Sequence, residues 1–263
     1  MEQKKQIVSD IIDTTKKWNI FTIIFLFPIM IAMFIFASYY LPTFGKMFAY
    51  SNTSFAAPLS KFETLLQIPT QVLVLIFLVG WINYFRIYFI SRNDRPKAYL
   101  ENLLVLSILS GIVYYSFIFG LQYFVTIVFL RIVYWGIFVG SLVYILFLIV
   151  SSKNDENNFI NAIQVNKLIK YIPFVYLVNL GLTFIGADID GLVAKFFMSA
   201  IMLAPIFIII FFTNWFRTTL HQYRIVTEIQ KNQEYYRQEF DYSIEAWYGK
   251  KSKKYKESLK ENV

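Results

Sequence analysis

The chain has 263 residues, of which 57% are hydrophobic, 20% aromatic and only 16% charged, with a net charge of +8. A soluble domain is nearer half apolar and a quarter charged, so this composition excludes a disordered chain and argues against an ordinary soluble enzyme. With no Cys and a single His, His221, the sequence offers no disulfide, no iron–sulfur cluster, no thiol nucleophile and no zinc cluster.

These properties predict an all-α fold, a polytopic transmembrane helix bundle. Residues 1–17 come first. On a helical wheel Ile7, Val8, Ile11, Ile12 and Trp18 share one arc, and Lys5, Gln6, Ser9, Asp10, Asp13, Lys16 and Lys17 lie opposite. That pattern predicts an amphipathic helix lying in the membrane interface. The competing reading packs the same face on the protein's own loops.

A helix needs about 20 mostly apolar residues to cross the hydrocarbon core. Within the transmembrane domain, 18–216, this window predicts six spans: 18–41, 66–90, 103–124, 131–150, 171–185 and 193–216. The third and fourth form one apolar stretch, divided between Gln122 and Arg131. The fifth is short, so it tilts, extends or dips in without crossing. The first span lacks a small-residue cleavage site and reads as a retained signal anchor. Lys and Arg are distributed 21 to 4 between alternate sides of these spans. Basic residues stay in the cytoplasm, so both termini are expected there. The expected location is a plasma membrane; Phe, Ile, Lys and Asn richness suggests a bacterial one.

The connections carry their own signals. Asn52-Thr53-Ser54 is a sequon in an expected external loop. Asp94 and Pro96 are placed to cap and start a helix. The 154–170 loop has Phe159, Ile160 and Ile163 on one side, as a short in-plane helix would. Asp188-x-Asp190-Gly191 resembles part of a calcium loop but lacks the remaining ligands, and reads as a turn. Gly136-x-x-x-Gly140 is expected to pack the third and fourth spans as a hairpin.

The tail, 217–263, is expected to be helical, with Ile225, Ile229, Tyr236 and Phe240 in one stripe. Glu228 with Lys231, and Glu234 with Arg237, have ion-pair spacing. Ser243 is placed to cap a further turn ending at Gly249. Lys250, Lys251, Lys253, Lys254 and Lys256 follow, with Trp247 and Tyr248 beside them. This cluster is the expected contact for anionic lipid or for a protein partner.

No carboxylate falls in the middle of a predicted span, and neither a G-x-S-x-G nor an H-E-x-x-H motif is present. Arg86 and Arg131 lie near span ends and are expected to snorkel. No catalytic residue, cofactor or metal is therefore expected. Gln67 and Gln71 in the second span, with Asn179 and Thr183 in the fifth, are the candidates for a polar path; the plainer reading is interhelical hydrogen bonding. Tyr114, Tyr115, Tyr134, Trp135 and Tyr144 lie deeper and are expected to pack inside the bundle.

An amphipathic leading helix, six spans and short cytoplasmic couplers resemble, in layout, a drug- or polysaccharide-export ABC permease. The long tail departs from that layout. The expected function is a non-enzymatic subunit of a transport or secretion assembly. Its partners are membrane lipid, other subunits and, by the resemblance, a cytoplasmic ATPase, but not nucleic acid. The alternatives are a self-contained homo-oligomeric channel or facilitator and, further off, a lipid-modifying enzyme.

Overall fold

A computed structural model describes residues 2–51, 60–125, 127–151, 169–186 and 191–261. The sequon, Phe159, Ile160 and Ile163, and the Asp188–Asp190 pair fall outside the described residues. Every element among the described residues is helical: α1 (Glu2–Lys16), α2 (Phe27–Ser51), α3 (Lys61–Leu65), α4 (Thr70–Ser91), α5 (Arg95–Leu121), α6 (Val128–Ser151), α7 (Ile172–Gly186), α8 (Leu192–Ile201), α9 (Ala204–Lys231), α10 (Gln233–Glu239), α11 (Ile244–Tyr248) and α12 (Lys253–Glu261), with a π-helical turn at Thr22–Leu26 and a 3-10 turn at Gln122–Phe124.

Among the described residues, five helical stretches are long and apolar enough to cross a membrane: Thr22–Met47, Lys61–Ser91, Arg95–Phe124, Val128–Phe147 and Leu192–Lys231. A sixth apolar helix, Ile172–Ile185, is shorter. Ile29, Met33, Leu75, Ile82, Ile132 and Phe207 on these helices are exposed. Large apolar side chains exposed in this way are stable in hydrocarbon and promote aggregation in water.

The chain divides into two compact units. The first comprises Met1–Ile35, Gln71–Ser110 and Thr218–Val263. Its distinguishing feature is a core that joins the two ends of the sequence. Ile7, Val8, Ile11 and Ile12 of α1 are buried with Leu100, Ile225, Val226, Ile229, Tyr236, Phe240, Trp247 and Tyr248. The stripe expected to face the membrane interface is thus covered by the tail. The physical reason is that the tail carries a stripe of its own, and each apolar face is removed from solvent by the other.

Polar contacts set the register of that packing. Lys4 Nζ lies 2.6 Å from Glu228 Oε1 and donates to the Tyr236 hydroxyl at 3.0 Å. The Glu228 hydrogen bond is the main reason the Lys4 ammonium is held above its ordinary pKa. Glu228 therefore pairs across to α1, whereas the expected Glu234–Arg237 pair forms at 2.7 Å.

The tail is also tied to the start of α5. Arg95 donates to the Ala246 carbonyl, and Gln233 Nε2 donates to Asp94 Oδ1 at 3.1 Å. Asp94 accepts from the Lys97 N–H at 3.1 Å, capping α5. Ser243 caps α11, which ends at Gly249 with φ of 87°, a conformation glycine adopts without strain.

Below this core, Ile23, Phe27 and Ile31 pack on Tyr84, Ile87, Tyr88, Ala98, Val105 and Leu109. The Trp81 indole donates to the Ile23 carbonyl at 3.3 Å, inside the π-helical turn. That turn shifts the backbone ladder, and a side chain reaches in where it does so.

The second unit comprises Phe36–Thr70 and Gly111–Arg217. Tyr134, fully buried, donates to the Ile118 carbonyl at 2.7 Å. Close helix packing here rests on Gly45 and Gly120. A Cβ on Gly45 would meet the Gly120 carbonyl oxygen at 2.4 Å, and one on Gly120 would meet the Leu41 carbonyl oxygen at 2.8 Å. Gly136 and Gly140 have nothing within 4 Å of an added Cβ. The expected GxxxG contact is thus replaced by an α2–α5 contact, because two glycines on different helices let backbones approach where one helix's pair does not meet a partner.

Alanine at Gly45 or Gly120 should therefore lower stability by about 1–3 kcal/mol, the usual cost of overpacking. Alanine at Gly136 or Gly140 should be neutral or slightly stabilising. Thermal unfolding of the detergent-solubilised chain measures both; equal effects at the two pairs would contradict the packing.

Candidate functional site

The most polar buried feature lies in the second unit. Ser60 opens α3 with a capping box: the Glu63 N–H donates to Ser60 Oγ at 3.2 Å, and the Ser60 N–H donates to Glu63 Oε2 at 2.7 Å. This fixes the Glu63 side chain. Its second oxygen, Oε1, lies 3.0 Å from Arg131 Nε. Both residues are buried, Glu63 to 5% and Arg131 to 2% exposure.

Arg131 sits in the first turn of α6, and one turn later comes Trp135. The Trp135 indole donates to Gln122 Oε1 at 2.7 Å. Gln122 is fully buried, and its Nε2 has no hydrogen-bond partner among the described residues. The Tyr115 hydroxyl donates to the Leu66 carbonyl, at the C-terminal end of α3. The short helix is thereby fastened to α6 by a charge pair and to α5 by one aromatic hydrogen bond, while the Trp135–Gln122 bond ties α6 to the turn that follows α5.

Arg131 was expected to snorkel; burial beside Glu63 is the correction. An isolated guanidinium needs water, but one facing a fixed carboxylate does not. The partner was overlooked because Glu63 lies outside the 66–90 window and far from Arg131 in sequence. The available signal was Ser60-x-x-Glu63, a capping box ahead of an apolar run. Arg86, the other expected snorkeler, is exposed and lies 2.6 Å from Glu101.

The four polar-path candidates separate. Asn179 and Thr183 are buried on α7, where the Thr183 hydroxyl donates to the Asn179 carbonyl at 2.7 Å. Ser199 of α8 donates to Thr183 Oγ1 at 3.0 Å, so these residues join two helices. Asn179 Nδ2 has no partner among the described residues. Gln67 and Gln71 are exposed. Gln67 lies in the turn before Pro69 and Gln71 lies at the start of α4, so the two do not share one continuous helix. The physical reason is Pro69, which stops the helix from extending back to Leu66.

The basic cluster also sorts itself. Trp247 and Tyr248 are each 2% exposed and belong to the core around α1. They are not surface contacts, because large aromatic rings were needed to fill the space between α1 and the tail. Lys254 is exposed, but its ammonium pairs back onto the tail. Its Nζ donates to the Tyr248 hydroxyl at 2.8 Å and lies 3.4 Å from Glu234 Oε1. Burial pushes the Glu234 carboxyl up, but hydrogen bonds from Arg237 and Tyr248 outweigh it and hold the group below its ordinary pKa. Lys250, Lys251, Lys253 and Lys256 stay exposed. Between α9 and α10 the helix breaks at Asn232, and Gln230, Lys231, Asn232, Tyr235 and Lys254 line an open polar groove there.

Among the described residues no group of three or more His, Asp or Glu could hold a metal. The chain matches no known family, no characterised protein and no solved structure.

Removing one member of the buried pair strands the other. Glu63→Gln or Arg131→Met should each cost about 3–5 kcal/mol. The double variant should recover more than half of the summed loss, since Gln preserves the capping box and no charge remains. Additive losses in detergent unfolding experiments would show that the two side chains do not interact.

Proposed function

We propose that this chain is a non-enzymatic subunit of a membrane transport or secretion assembly, inserted in a plasma membrane with six spans and both termini cytoplasmic. The observation that carries the reading is the mutual burial of α1 and the tail. A chain whose two ends pack together has both ends on one side of the bilayer and crosses an even number of times. Five long apolar helices are present among the described residues, so α7 supplies the sixth crossing in this reading. The charge bias of the sequence gives the side, since Lys and Arg concentrate with the termini.

The docking role follows from how the tail is built. Its buried apolar stripe packs on α1, and Arg95 and Gln233 tie it to the start of α5. What it offers outward is polar: the groove at the α9–α10 break, with Tyr235 half exposed on its rim. A folded element fixed to a span end transmits force between the membrane and a soluble partner, as a loose terminus does not. A cytoplasmic ATPase is the partner class we assign to it. A homo-oligomeric channel stands second; it draws on the exposure of Gln67 and Gln71, which a second copy would have to cover.

A photocrosslinking amino acid in place of Tyr235 should trap one discrete soluble partner in cells. The same group in place of Gln6, on the outer face of α1, is the comparison position. Deleting 217–263 is a poor test, because it uncovers Ile7, Val8, Ile11 and Ile12. Absence of any adduct at Tyr235, with the chain expressed and inserted, would contradict the docking role.

A further inference from the structure

We propose that Lys253, Lys256 and Lys260 of α12, with Lys250 and Lys251 just before it, form a site for anionic phospholipid headgroups. The proposal rests on membrane insertion of the chain and not on its membership of an assembly.

Helical spacing sets the geometry. At 100° per residue, Lys253, Lys256 and Lys260 fall in one narrow stripe. All three are exposed, Lys253 with 88% of its side chain free. Lys254 lies on another face and is held by Tyr248 and Glu234. All of these lysines are exposed, but Lys254 is engaged by the tail whereas the stripe lysines face outward. Glu257 lies 3.7 Å from Lys253, and Glu245 lies 3.4 Å from Lys250, both at exposed sites where an ion pair is weak. Leu259, next to the stripe, is exposed. An apolar side chain flanking a cationic row suits a surface that is charged outside and greasy beneath.

The attachment of the preceding turn to the start of α5 favours lipid over a soluble acidic partner. Arg95 opens α5 and donates to the Ala246 carbonyl. A Cβ on Gly249 would lie 3.0 Å from Arg95 Nη2, so the turn leading into Lys250 rests on that side chain. The uninterrupted apolar run of α5 begins at Leu103, about 12 Å along the helix from Arg95. The Arg86–Glu101 pair marks the polar boundary at that level. A headgroup layer adds roughly 5–8 Å beyond the hydrocarbon. Lys250 and Lys251, which directly follow that turn, have side chains long enough to span the remaining distance, and α12 continues from them.

The test uses the full chain, which has no native Cys, with Glu257→Cys carrying a nitroxide label. The protein is reconstituted in nanodiscs of phosphatidylcholine alone or with 30% phosphatidylglycerol as the ~anionic fraction. The expected result is loss of label mobility and of access to a water-soluble relaxant only in the anionic membrane, reversed by high salt. Adding Lys253→Gln, Lys256→Gln and Lys260→Gln should abolish the difference. Each lysine alone should weaken the dependence on anionic lipid about fivefold. Lys254→Gln should leave it intact, which separates the stripe from folding of the tail. Identical spectra in the two membranes would overturn the proposal and leave the stripe to an acidic protein. An unchanged difference in the triple variant would also overturn it.

Discussion

The packing of α1 against the tail is the interaction on which the rest of the first unit depends. Four aliphatic side chains near one end of the sequence meet a stripe near the other, with Leu100 of α5 completing the cluster. The alternative for α1 was lipid. An interfacial helix gains from burying one face in the headgroup boundary, but it leaves the tail stripe in water. Packing the two together removes both from water at once, and Lys4, Glu228 and Tyr236 add a polar latch at the edge.

The second unit solves a different problem. Its long helices have few polar atoms to direct them, and lipid does not drive apolar faces together as water does. Specific contacts take over that task. Gly45 and Gly120 allow backbone approach, Thr183 and Ser199 join α7 to α8, and the buried Glu63–Arg131 pair fastens a short helix to α6. A buried ion pair is a poor source of stability compared with an apolar substitute, but it is intolerant of misplacement. Its contribution here is to specify one arrangement among helices with nearly featureless apolar surfaces.

Much of the helix layout was legible because lipid imposes a length and a composition that can be read along the chain. The long apolar runs, the Asp94 cap, the Ser243 cap and the stop at Gly249 are local features, and local features are written in consecutive residues. What could not be read was which faces meet. The α1 stripe looked suited to lipid because its partner lies more than 200 residues away. Gly136-x-x-x-Gly140 looked like a contact because its spacing is right, while Gly45 and Gly120 carry no spacing at all. Trp247 and Tyr248 read as contacts for anionic lipid or a partner because they stand beside a run of lysines; they fill a core instead. Arg131 and Glu63 were each visible, but not as a pair.

The central claim is that the two ends of this chain lie together on the cytoplasmic side of a bilayer that the chain crosses an even number of times. Because the chain lacks Cys, single cysteines at Gln6 and Lys251 can be tested in intact cells with a membrane-impermeant thiol reagent. The account requires both positions to be protected until the cells are permeabilised, and then to react equally. Labelling of one position but not the other from outside would contradict it, because the ends could not then pack as described.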